Sequence, residues 1–238
     1  MENPRIRCGL VLLALFIFTQ VASALQVTPG SPCAALCLEN DADPFDSAAS
    51  TTNATDIVCK DDDYSSNEEG IKFKQCLECM QKSQKQNETE TDVGWFIYNL
   101  RFALGTCLYG FGDEDKVISS PCVINWACQP LKDALTSGLD DEDASWNYCE
   151  AGNNALSSKN MESCVSCLAS SETETYLSNC GLLFSIRHSC GALTNLTPQS
   201  SSPSSLAVSS SPKPESSLGC RALLSPGVSW KSPMLPRT

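Results

Sequence analysis

Apolar residues recur at helical spacing in two pairs of segments along this chain. In the first half they lie three or four positions apart over 71–82 and again over 92–111. In the second half the same pattern covers 160–170 and 173–190. This 3.6-residue period is typical of amphipathic helices, whereas strand-like alternation and Asn-Gly hairpin signals are scarce. We therefore predict an all-α fold.

Ser-Pro pairs at 31–32 and 120–121 indicate where two of the helices begin. A serine hydroxyl can cap a helix, and proline fits the first helical position because no N–H is needed there. Cys33 and Cys37, four apart, would then lie on one helix face. In the second copy the cysteines are six apart, so the later one is expected after a break in the helix.

The first 24 residues are typical of a secretory signal peptide. Two arginines precede the apolar run 8–18, and Ala-Ser-Ala at 22–24 provides the small residues of a cleavage site. The run is shorter than the roughly 20 apolar residues that span a bilayer. We expect cleavage before Leu25 and export of the rest of the chain.

The cysteines form two sets with matching spacing. Removal of the signal would leave 14 of the 15 cysteines, and twelve of these have successive spacings of 4, 22, 17, 3, 28 and then 6, 21, 15, 3, 23. The two sets are Cys33, Cys37, Cys59, Cys76, Cys79, Cys107 and Cys122, Cys128, Cys149, Cys164, Cys167, Cys190. The repeated order indicates an internal duplication. We predict a six-cysteine helical module over 25–112 and a second over 113–190, packed together.

Disulfides are expected because the secretory pathway is oxidising. The spacing leaves the pairing within each set open. Cysteines three apart on a helix should bridge to other segments, so we expect Cys76 and Cys79 to hold the first and last helices of their module to its middle one. Cys180 and Cys220 lie outside the pattern. They would pair with each other, bridge two molecules or stay free.

Three Asn-x-Thr sequons agree with export and predict glycosylation at Asn53, Asn87 and Asn195. After Cys190 the composition changes to serine and proline, so 191–238 is predicted to be a disordered tail. That tail has no apolar run of the length a membrane helix or lipid-anchor signal needs. We expect no membrane span in the mature chain.

The charge distribution excludes several classes of partner. Residues 25–190 carry 26 acidic and 10 basic side chains, a net charge of −16. Such a surface repels phosphate, which argues against nucleic acid and anionic lipid as partners. Negative charge also keeps a secreted domain soluble.

Residues with recognisable catalytic or metal chemistry are few. The single histidine, His188, has no accompanying nucleophile motif, so we predict no enzyme and no catalytic residue. Acidic runs at 61–63, 113–115 and 140–143 lack the spacing and glycine of a calcium loop. The two Cys-x-x-Cys pairs are expected to be oxidised rather than to bind zinc. No metal or cofactor site is predicted.

The aromatic side chains of the 92–111 segment have two interpretations. They would form a sugar-stacking platform if exposed, but their helical spacing favours a place in the core. They are Trp95, Phe96, Tyr98, Phe102, Tyr109 and Phe111.

Across 28–190 the chain resembles uncharacterised secreted or cell-surface proteins of filamentous ascomycete fungi, some of them labelled cell-wall-anchor-like. The stretches that carry the resemblance are TPGSPCAALC, DIVC, FKQCLECMQ, GWFIYNLRFALGTCLYGF, LKDALTSG and CVSCLAS followed by TYLSN. Members usually continue into one transmembrane helix and a cytoplasmic tail, whereas this chain ends without one. They also have an apolar or aromatic residue at position 180.

The resemblance implies an extracellular location but no activity. We expect a non-enzymatic module with a structural, adhesive or recognition role at the fungal cell surface, whose partner is a cell-wall polysaccharide or a surface protein. The alternative is a protein that binds a small ligand such as haem, lipid or metal. A third interpretation is a soluble or misframed form of a single-pass membrane protein.

Overall fold

Short helices joined by turns make up the part of the chain that this computed structural model describes, which is residues 24–118, 121–124, 127–170, 186 and 190. The α-helices are α1 Ala34–Cys37, α2 Asp63–Ser66, α3 Glu68–Met80, α4 Asp92–Tyr109, α5 Pro121–Ile124, α6 Lys132–Thr136, α7 Ala151–Asn154 and α8 Ser158–Ala169. Single 3₁₀ turns lie at Ser47–Ala49, Ala54–Asp56, Glu114–Lys116, Gln129–Leu131 and Asn147–Cys149. Strand pairing in these ranges is limited to one bridge, between Gln86 and Thr91. The all-α prediction is confirmed.

Helix α4 is the centre of the fold, because nearly all of its side chains are buried. At its start the Thr91 Oγ1 accepts the N–H of Gly94 at 2.9 Å. At its end Gly110 adopts the left-handed conformation, with φ 71°, which glycine tolerates without strain. Most of these side chains are apolar, and a helix that is buried nearly all round belongs in a core. Among the described residues, no helix has both the length and the apolar character needed to cross a bilayer.

Helix α3 buries one face against α4 and α1. The apolar residues on that face, spaced i, i+3, i+4 and i+7, are Phe73, Cys76, Leu77 and Met80. The helix begins three residues before the predicted 71–82 segment. The cause is Asn67, whose Oδ1 accepts the N–H of Glu69 at 2.9 Å and caps the first turn.

The two Ser-Pro pairs begin helices differently. Helix α5 starts at Pro121, as predicted. Helix α1 starts at Ala34, so the prediction that Pro32 is its first residue is wrong. The Ser31 Oγ accepts a backbone N–H two residues on at 3.0 Å, and it donates to the Asp92 carboxylate at 2.6 Å. This hydroxyl therefore ties the turn before α1 to the start of α4.

Three disulfides form within each set of cysteines, and the order of pairing is the same in both sets. In each set the first cysteine pairs with the fifth, the second with the fourth and the third with the sixth. The pairs are Cys33–Cys79, Cys37–Cys76, Cys59–Cys107, Cys122–Cys167, Cys128–Cys164 and Cys149–Cys190.

The prediction for Cys76 and Cys79 is half wrong. Both bridge to the α1 segment and neither bridges to the last helix of the module. Cys33 and Cys37 are four residues apart, and Cys76 and Cys79 are three apart; each spacing is about one helical turn. Two antiparallel segments can therefore align both pairs at once. The last helix, α4, is instead held through Cys107 to Cys59 in the loop before α2.

The halves of the chain share one apolar core. Helix α4, in the predicted first module, packs against α6 in the second. Buried side chains on both sides of position 112 belong to a single cluster that runs from Leu25 to Ile186. The predicted packing of the halves on each other is confirmed. The module boundary at 112 and 113 stays a prediction.

Several sequence predictions fall outside the described residues. These are the signal segment up to residue 23, the helix over 173–190 apart from its residues 186 and 190, and the tail over 191–238. The same holds for Cys180, His188, Asn195 and Cys220.

Candidate ligand-binding pocket

The segment that follows the predicted cleavage site is fixed to α4 by buried polar contacts. Each backbone N–H from Leu25 to Thr28 donates to a group elsewhere in the chain, at 2.8–3.3 Å; the acceptors, in order, are the Cys37 carbonyl, Thr52 Oγ1, Ser50 Oγ and Asp92 Oδ1. Asn99 of α4 completes the network, because it donates to the Gln26 carbonyl and accepts from Thr52. Since these groups are buried and paired, the segment is a fixed wall.

A pocket of about 340 Å³ opens beside this wall. Its volume lies at the lower end of the roughly 300–1,000 Å³ of small-molecule sites. The lining residues come from four parts of the chain: Gln26, Val27 and Pro29; Ser47, Ala48, Ser50 and Thr51; Glu90 and Trp95; and Glu142. The pocket therefore uses both predicted modules, because Glu142 belongs to the second.

Trp95 and Glu90 form one side of the pocket as a fixed pair. The indole Nε1 of Trp95 donates to the Glu90 Oε2 at 2.9 Å. The indole also stands edge-on to Tyr98, with ring centres 5.3 Å apart. These contacts hold one carboxylate oxygen of Glu90 in place.

The aromatic side chains of α4 belong to the core, as their spacing favours. Trp95, Phe96, Tyr98 and Phe102 are buried. Tyr109 and Phe111 pack against the core from its edge. Trp95 alone of these six lines the pocket.

Glu142 reaches the pocket from a loop that α4 holds at two points. The Tyr98 hydroxyl donates to the Leu139 carbonyl at 3.0 Å, and the Arg101 guanidinium donates to the Ser137 carbonyl. Glu142 itself has φ 51°, in the left-handed region that residues other than glycine rarely adopt. Such backbone conformations persist only where the surrounding structure imposes them.

Behind the loop lies a buried cation. The Arg101 side chain is 1 % exposed, and its guanidinium carbon lies 4.1 Å from the centre of the Tyr148 ring. Burial lowers the pKa of Arg101 to about 10, although Tyr148, Tyr98 and Asp143 act in the opposite direction. At neutral pH the side chain is still charged.

Burial also raises the pKa of the phenols around this cluster above the usual value near 10. For Tyr98 the nearby carboxylate of Glu142 raises the pKa further, while Arg101 lowers it. For Tyr148 Arg101 again lowers the pKa, and for Tyr109 burial is the cause.

We expect the folded protein to ionise fewer of its five tyrosines at pH 11 than the unfolded protein does. Because the folded-state pKa of three phenols is raised, their contribution to stability is complete below pH 10 and is lost as the pH rises further. Arg101 acts in the opposite direction, since its folded-state pKa is lowered. Three phenols outweigh one guanidinium, so stability should fall.

Absorbance at 295 nm of native and guanidinium-unfolded protein, both titrated from pH 8 to 12, measures this difference. Tyr98→Phe should reduce the difference by about one tyrosine. Identical titrations in the two states would contradict the burial of these phenols.

Sequence reasoning identified only part of this pocket. Trp95 was among the aromatic residues considered for a sugar-stacking platform, and Glu142 belonged to an acidic run considered for calcium binding. Gln26, Glu90 and the 47–51 turn were missed, because nothing in their local pattern distinguishes them from other polar residues. Within the described ranges, no group of three or more histidine, cysteine, aspartate or glutamate side chains is arranged to hold a metal ion.

Six disulfides in an all-helical core define a disulfide-stapled module of extracellular type. Comparison with known protein families, with curated proteins and with solved structures finds no match.

Proposed function

We propose that this protein is a non-enzymatic recognition module at the fungal cell surface, and that its pocket binds a saccharide of the cell wall. The observation that carries the proposal is the composition of the pocket wall. Hydroxyls, an amide, two carboxylates and an indole surround one opening of about 340 Å³. The same residues do not favour an apolar or flat ligand.

A saccharide fits this lining for a chemical reason. Its hydroxyl groups both donate and accept hydrogen bonds, and carboxylates, amides and hydroxyls supply the matching partners. Its C–H groups can pack against the indole of Trp95, which lines the pocket. By contrast, a lipid chain or haem requires a mostly apolar cavity, and six of the ten lining residues here are polar or charged.

Two further observations support an exported module built by duplication. The identical pairing order of the two cysteine sets is what tandem copies of one unit would produce. The sequon residues Asn53 and Asn87 are exposed on turns, where a glycosylating enzyme has access to them. We propose both as glycosylation sites.

Filling the pocket should abolish binding. Ala48 is exposed on the 3₁₀ turn at the pocket wall, so Ala48→Trp would place an indole in the opening without removing any polar partner. We expect at least a tenfold loss of affinity for oligosaccharides, measured by calorimetry against glucan and chitin fragments. The matched control is Ala35→Trp, since Ala35 is exposed on α1 and does not line the pocket.

The proposal fails if the wild-type protein binds no wall oligosaccharide. It also fails if Ala48→Trp and Ala35→Trp reduce affinity equally. Binding of a fatty acid or haem that Ala48→Trp abolishes would replace the saccharide with the small-ligand alternative.

A further inference from the structure

The charged residues that line the pocket are both acidic. Glu90 and Glu142 line it from opposite modules, and no lysine or arginine is among its lining residues. In the Glu142 loop, 137–143, Asp140, Asp141 and Glu142 itself are exposed. A ligand that enters therefore meets two carboxylates and no cation among the lining residues.

Neither carboxylate is neutralised by an ion pair. The ion pair found among the described residues joins Lys72 to Glu39, and neither of these residues lines the pocket. One carboxylate oxygen of Glu90 accepts the indole N–H of Trp95, and the other oxygen is available to a ligand. Two cations lie closest. The Lys85 ammonium lies beside Gly30 but does not line the pocket, and Arg101 is buried and donates to the Ser137 carbonyl.

We infer that the pocket selects an amino sugar, a saccharide whose ring carries a protonated amine. This inference rests on the proposed function and specifies its substrate class. An ammonium group placed between two carboxylates gains a charge-assisted hydrogen bond from each, which is stronger than a bond between neutral groups. An N-acetylated or unmodified sugar gains none of these charge interactions.

Within the acidic run 140–143, Glu142 is the residue that lines the pocket. Glu142 has a left-handed backbone and lines the pocket, whereas its neighbour Asp141, with the same charge, does not line it. The two residues are therefore a matched pair. One carboxylate is in the site, and the other contributes only to the general negative charge.

The test compares a glucosamine tetramer with an N-acetylglucosamine tetramer and a β-1,3-glucose tetramer, all by calorimetry at pH 6 and low salt. We expect the glucosamine tetramer to bind at least tenfold more tightly than either neutral oligomer. The Glu90→Gln, Glu142→Gln double variant should remove this preference, measured as the ratio of the affinities for the charged and neutral tetramers, because glutamine keeps a hydrogen-bonding oxygen but not the charge. The control is Glu88→Gln, Asp141→Asn, which makes the same change of charge at exposed positions outside the pocket and should retain the preference.

Each other outcome overturns a defined part of the inference. Equal affinity for charged and neutral oligomers rejects amine selectivity and leaves saccharide binding intact. Loss of the preference in both double variants assigns it to overall charge rather than to the pocket. Tight binding of trilysine, an amine without a sugar ring, would show that the pocket recognises the amine alone and would reject a saccharide as its ligand. Absence of binding to every oligomer rejects the proposed function itself.

Discussion

Reduction of the six disulfides will unfold this protein. Each bridge contributes about 2–4 kcal/mol, largely by restricting the unfolded chain. Six together equal or exceed the roughly 5–15 kcal/mol of net stability typical of a domain. Apart from α3, α4 and α8, the α-helices have only four or five residues. Helices of that length do not form alone in water. Without the bridges the chain has too few local contacts to stay folded.

Far-ultraviolet circular dichroism, measured before and after treatment with a phosphine reductant and iodoacetamide, tests this expectation. Iodoacetamide without the reductant is the control and should leave the spectrum unchanged, because paired cysteines do not alkylate. Retention of the helical spectrum and of a cooperative thermal transition after full alkylation would show that the core is sufficient without the bridges.

Replacing Gly70 by alanine should lower the free energy of unfolding by about 1–3 kcal/mol or more. Helix propensity alone predicts the reverse, a gain of about 1 kcal/mol inside α3. The reason is steric, since a Cβ at this position would lie 2.3 Å from the Asp63 carbonyl oxygen at the start of α2. That oxygen is part of the backbone, so it can move only if the short turn between α2 and α3 moves with it.

The matched control is Gly105→Ala on α4. A Cβ there would lie 3.3 Å from the Leu139 Cδ1, which belongs to a side chain that can shift by a few tenths of an ångström. We expect its effect to be clearly smaller than that of Gly70→Ala. Urea denaturation of both variants with intact disulfides gives the comparison. An increase in stability for Gly70→Ala would mean that α2 and α3 are not packed as the structure shows.

The helices with the strongest patterns were predictable because their causes are local. The apolar face of α3 and the mostly apolar sequence of α4 are visible in consecutive residues. The start of α1 was not predictable, because the Ser31 hydroxyl donates to Asp92, 61 residues further along the chain.

Pairing of the cysteines required the tertiary structure. Spacing predicted that Cys76 and Cys79 would bridge to other segments, which is confirmed. It did not identify α1 as the partner of both, because that choice depends on α1 running antiparallel to α3. Relative direction of two helices is a property of the packed core, and no local pattern records it.

By itself, the sequence determined the helical class of this protein, its two cysteine sets and its acidic surface, since each of these follows from residue type and short-range spacing. The pocket was decided by the tertiary structure alone. Gln26, Glu90 and Glu142 are separated by up to 116 positions and meet because α4 holds both the N-terminal segment and the 137–143 loop. Contacts between segments so far apart depend on how the core packs, and that is why the candidate site could not be found from the chain.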